Sequence, residues 1–143
     1  MIYTITKYDY SIKKQIINPK KVYCVDNGIT TTNGFRFSEN KGQLLKNAVF
    51  LELKRRDKDI YYFSDKQECD FVLNDKTKIT DAIQVCYDLN ENNKYRELNG
   101  LLEAMNKFNL KTGLIITFDQ ENVISVDKQK IHVIPVWKWL LEE

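Results

Sequence analysis

Three polar side chains stand in settings that otherwise favour apolar ones. Asp70 lies inside CDFVL and Gln84 inside AIQVCY, and Glu52 follows Leu45, Ala48 and Val49 at helical intervals. A lone carboxylate within an apolar strand must be paired, bound or exposed at an edge. An amide buried without a partner costs roughly 1–3 kcal/mol. Two carboxylates and an amide carbonyl meeting at one point would make a hard-cation site suited to magnesium or manganese. Such a site polarises a phosphate oxygen and lowers the pKa of a bound water. A period of two adds Cys86 to the face of Gln84 and Glu68 to the face of Asp70.

Each of these residues also has a structural reading. Glu52 can be a salt-bridge partner on a solvated helix face, Gln84 a core amide bonded to backbone, and Cys86 a packing residue. His132 is the single imidazole of the chain, and Cys24, Cys69 and Cys86 form no CxxC pair, which argues against zinc and for reduced, buried thiols.

The elements that must position these groups follow from periodicity. A helix is predicted over about 38–56, with Ser38 as N-cap, Glu39 favourable to the helix dipole, and Leu45, Ala48 and Val49 on the apolar face. IYYF (60–63), CDFVLN (69–74) and DAIQVCYDL (81–89) read as three strands separated by polar turns. If the second and third are neighbours, Asp70 and Gln84 point to one side of the sheet, where the first helix could bring Glu52. A second helix over 92–108 carries a stripe of Tyr95, Leu98, Leu101, Leu102, Met105 and Phe108. GLIITF, VISV and IHVIPV are further strands, and WKWLLEE is an amphipathic end in which Trp137 and Trp139 cap the core. The order predicts an α/β fold, a mixed sheet flanked by helices. Ahead of it, IYTI and KKVYCVD, closed by a turn at Asn27-Gly28, look like the end of an upstream segment over 1–30.

Composition sets the outer bounds. With 143 residues, 43 % hydrophobic and 29 % charged, the chain matches one globular core. It has no apolar run of about 20 residues and no signal-peptide pattern, so a cytoplasmic location is expected. A net charge of +2 is too small to indicate nucleic-acid binding, and the run Lys54-Arg55-Arg56-Asp57-Lys58 reads first as solubilising surface. No Walker A glycine loop occurs, so an ATP site is not expected in this chain.

Taken together, GQLLKNAVFLEL, ECDFVL, AIQVCYDL, YRELNGLLEAM and GLIITFD resemble the PD-(D/E)XK, or restriction-endonuclease-like, domain found at the C-terminus of archaeal and bacterial AAA-type ATPases. NPKKVYCVDNG and IHVIPVWKWL extend the likeness over nearly the whole chain. The resemblance implies a nuclease-like domain over 31–143, preceded at 1–30 by the tail of a winged-helix segment. In that superfamily a helix Glu, a strand Asp and a (D/E)-x-K pair bind magnesium and position the attacking water. The matching positions here are Glu52, Asp70, Gln84 and Cys86.

Two of those positions depart from the pattern. Gln84 brings no charge to a metal, Cys86 supplies no ammonium, and Lys46 stands where the family commonly has Glu. Without that ammonium, several kcal/mol of transition-state stabilisation would be missing. Lys94 or Arg96 could replace the cation, and Glu68 could add a carboxylate. The resemblance therefore implies a catalytically degenerate domain that binds DNA or protein beside an ATPase domain N-terminal to it in the same polypeptide. The alternative is an active magnesium-dependent DNA nuclease.

Overall fold

Residues 59–85 alternate apolar side chains between two polar turns, and they form an antiparallel meander at the centre of the sheet. The computed structural model describes residues 2–24 and 37–142, apart from the side chains of 37–39. The strands are β1 (Ile2–Lys7), β2 (Lys20–Cys24), β3 (Asp59–Ser64), β4 (Glu68–Asp75), β5 (Lys78–Val85), β6 (Thr112–Thr117), β7 (Asn122–Val126) and β8 (Gln129–Pro135). They form one sheet in the order β2-β1-β3-β4-β5-β6-β8-β7. The described helices are α1 (Ile12–Ile17), α2 (Phe37–Arg55), α3 (Lys94–Lys107) and α4 (Val136–Leu141).

The sheet is mixed because its connections differ in length. Short turns make β3-β4-β5 and β7-β8 antiparallel. The long crossover through α3 makes β5 and β6 parallel, and β8 continues parallel to β6. The α/β architecture expected from the sequence, a mixed sheet flanked by helices, is the one observed. No helix among the described residues is long and apolar enough to cross a membrane.

The two faces carry separate apolar layers. Leu45, Val49, Phe50 and Leu53 of α2 pack on Tyr23, Phe71, Leu73, Ile83 and Val85. Tyr23 stacks on Phe50 with ring centroids 4.5 Å apart. On the other face Leu101, Ala104 and Met105 of α3 pack with Phe108 on Phe63, Cys69, Val72, Ala82 and Cys86. The strands β1 and β2 belong to this same sheet, and Ile5 and Tyr23 contribute to the α2-side layer. The Cys24 N–H donates to Asn47 Oδ1 at 3.1 Å, which ties the end of β2 to α2.

Some local expectations shift. Helix α2 begins at Phe37, so Ser38 lies inside its first turn rather than capping it. The side chains of Ser38 and Glu39, the turn at Asn27-Gly28 and the expected domain boundary after residue 30 lie outside the described residues. Tyr95 is 78 % exposed, because the buried stripe of α3 runs through Glu97, Gly100, Leu101, Ala104 and Met105. Trp139 is buried and caps the core, whereas Trp137 is exposed.

Candidate functional site

A bulge in β4 creates the site. β3 and β4 run in register to Tyr61↔Val72, and the next pair is Phe63↔Cys69, two steps along β3 against three along β4. One extra residue is therefore accommodated in β4 at Asp70-Phe71, and the alternation of faces slips there. Cys69 and Val72 both join the α3-side layer, while Phe71 joins the α2 side. The slip re-aims the Asp70 carboxylate toward α2.

At the same point β4 and β5 part. Their backbone ladder ends at Phe71↔Ile83, while β5 continues along β6 to Val85↔Ile116. Side chains replace the missing rungs. The Asp70 N–H donates to Gln84 Oε1 at 2.8 Å, and the Val85 N–H donates to Asp70 Oδ2 at 2.9 Å. Gln84 Nε2 donates to the Glu68 carbonyl at 3.1 Å and to Glu97 Oε2 at 2.7 Å. Asp70, Gln84 and Glu97 are 2 %, 4 % and 7 % exposed, so each polar atom in this fork needs a partner and finds one.

The remaining carboxylate oxygen meets two lysines. Asp70 Oδ1 lies 3.2 Å from Lys46 Nζ of α2 and 4.0 Å from Lys21 Nζ of β2, and Lys21 also pairs with Glu68. Burial works against the Lys46 charge, but the Asp70 carboxylate beside it, joined by the charges of Glu97 and Glu68, outweighs burial and holds its pKa above the ordinary lysine value. Burial, followed by the Asp70 charge, pushes the nearby Tyr23 hydroxyl well above its usual range.

Cys86 faces the α3 side. Its thiol donates to the Asp88 carbonyl at 3.4 Å and accepts from Asn93 Nδ2 at 3.5 Å. Burial, helped by the Glu97 charge, pushes its pKa up to about 11. It is a packed thiol with little thiolate character at neutral pH.

Of the three expected ligands, the structure joins Asp70 and Gln84 and leaves Glu52 elsewhere. Glu52 is six residues beyond Lys46 on α2, roughly 9 Å along the axis and about two-thirds of a turn further round. Its carboxylate accepts from Arg55 at 2.7 and 2.8 Å and from Arg56 at 2.8 Å. Hydrogen bonding to Arg55 leads the effects that lower its pKa to about 2. Arg56 also donates to the Trp139 carbonyl at 3.0 Å and the Glu142 carbonyl at 2.6 Å, so this group staples α2 to the end of α4. The expectation of three converging oxygens therefore fails for a helical reason.

The auxiliary candidates divide similarly. Glu68 is exposed and pairs with Lys21. Lys94 and Arg96 occupy the first turn of α3, where Arg96 lies 3.3 Å from Glu97. The cation nearest Asp70 is instead Lys46, which the sequence marks only as a departure from the family's usual Glu. Lys21 reads in the sequence as part of a solubilising basic pair with Lys20, although it shares a face of β2 with the buried Tyr23.

These residues do not fit a magnesium or manganese ion. Both Asp70 oxygens and the Gln84 carbonyl have protein partners, and Glu52 belongs to another cluster. Among the described residues no group of three or more His, Cys, Asp or Glu is placed to hold a metal. What the geometry builds is a polar clasp across a split in the sheet.

The profile of a family described as "Domain of unknown function (DUF4143)" matches residues 41–139, from the second turn of α2 to Trp139. An uncharacterized protein of Methanocaldococcus jannaschii is 38 % identical over 147 aligned positions, covering 93 % of this chain and 32 % of that protein. The chain thus spans about a third of the length of that relative.

Proposed function

Since the chain belongs to the DUF4143 family of domains of unknown function, we propose that it is a nuclease-derived domain that binds instead of cutting, attached to an AAA-type ATPase. One observation carries the reading: Asp70, the acid on which hydrolysis by a domain of this kind would depend, is committed to Lys46 and to the Val85 N–H. A carboxylate held in this way has no free oxygen with which to position a metal or a water. Cys86, where the resembling nucleases carry lysine, is a packed thiol.

The ATPase attachment rests on other support. Domains of this family commonly lie C-terminal to AAA-type ATPases. The matched relative leaves two-thirds of its length for further domains. In such an arrangement the domain docks against the ATPase portion of the same polypeptide, with DNA as the alternative ligand.

Supercoiled plasmid incubated with manganese tests the central point. Wild type and Asp70→Asn are expected to leave the plasmid equally intact. Nicking by wild type that Asp70→Asn abolishes would establish an active nuclease and end the binding-domain reading.

A further inference from the structure

The Asp70 pocket already has the charge balance of a filled cation site. Asp70 is 2 % exposed, and its Oδ1 faces Lys46 Nζ at 3.2 Å with Lys21 Nζ at 4.0 Å. Its second oxygen is bonded to the Val85 N–H. Gln84, the other oxygen donor of the fork, directs its carbonyl to the Asp70 N–H. A magnesium ion would need an oxygen at roughly 2.0–2.1 Å, nearer to Oδ1 than the lysine nitrogen now stands. Two cations on that oxygen would set like charges in contact beside a buried carboxylate.

Lys46 reaches the pocket from α2 and Lys21 from β2, with side chains 31 % and 26 % exposed. Both side chains are thus partly exposed, while the carboxylate they flank is buried. Lys21 is shared with Glu68, which leaves Lys46 as the principal counter-charge of Asp70.

We infer that the Lys46 ammonium is the resident cation of this pocket, a tethered charge that closes it to divalent ions, and that Lys46→Glu converts it into a divalent-cation site. A glutamate at this position ends one bond short of the present ammonium. Its carboxylate and that of Asp70 then face each other across a gap that a partly hydrated manganese or magnesium ion bridges, with waters completing the shell. A closed pocket agrees with the binding role proposed above, yet the two can fail separately. Manganese at Asp70 without plasmid nicking refutes the tethered cation alone. Asp70-dependent nicking with no manganese at Asp70 refutes the binding role alone.

The reporter is the Val85 amide, which donates to Asp70 and is followed by NMR while manganese alone is added to the full chain. In wild type, no saturable broadening of Val85 is expected up to millimolar manganese. In Lys46→Glu the same amide broadens saturably at one ion per chain, at concentrations at least tenfold lower, and Lys46→Glu/Asp70→Asn abolishes the effect. Saturable broadening of Val85 in wild type overturns the inference, as does a folded Lys46→Glu that binds no more tightly than wild type. Should Lys46→Glu not fold, Lys46→Gln decides: stronger broadening than wild type supports the tethered cation, and none beyond wild type overturns it.

Discussion

At the scale of single residues, the two acids singled out by the sequence do opposite jobs. Asp70 is nearly inaccessible, and leaving such a carboxylate without its lysine would cost far more than the pair contributes as a unit. Glu52 works at the surface of α2, where two arginines at i+3 and i+4 hold it in its charged form. Its pKa in the folded chain, about 2, lies below the ordinary glutamate value of 4.5, so the folded state favours the ionised form. The sign follows from linkage: the contribution is fully present above about pH 4.5 and disappears as the pH falls toward 2. Urea titrations of wild type and Glu52→Gln across this range should therefore show a stability gap near neutrality that narrows steadily toward pH 2. A gap of constant size would mean that the arginine clasp is not what stabilises the end of α2.

At the scale of elements, the split between β4 and β5 depends on how closely α3 can approach. A Cβ on Gly100 would fall well inside contact distance of the Glu68 backbone carbonyl, the same carbonyl that accepts from Gln84. Ala is the better helix former by about 1 kcal/mol, but a rigid backbone atom cannot yield as a flexible side chain would. Gly100→Ala should destabilise the fold by about 2 kcal/mol net and speed hydrogen exchange in α3. Faster exchange confined to other elements would argue against this close contact. The elements themselves were legible from the sequence: alternation gave β3, β4 and β5, the helical period gave α2 and α3, and Asp70 and Gln84 stood out as polar residues in apolar strands. The bulge at Asp70-Phe71 was not legible, because a one-residue slip appears only once β4 is set against β3. Lys46 stands out in the sequence as a departure from the family's usual Glu, but its pairing with Asp70 does not, since that partner lies 24 positions away on another element. Glu52 was misplaced despite a local signal, for Arg55 and Arg56 follow it at the spacing of helical ion pairs.

At the scale of the whole molecule, one sheet carries two apolar layers, and every central strand contributes to both. Phe71 and Val72 are neighbours in β4 with opposite allegiance, as are Ile115 and Ile116 in β6. A layer lost on one face therefore releases the strands that form the floor of the other. This linkage predicts a single cooperative unfolding step for a chain of this size. Met105 is fully buried on the α3 side, and Trp139 is buried on the α2 side beneath the Arg56 guanidinium, 4.6 Å from its ring. Met105→Ala should cost about 3 kcal/mol. In urea it should lower the midpoint reported by tryptophan fluorescence, from the opposite face, by the same amount as the midpoint reported by far-ultraviolet circular dichroism. Separate midpoints would show that the layers unfold independently, and the clasp at Asp70, which binds α2, β4, β5 and α3 through one fork, would then be too weak to couple the two faces.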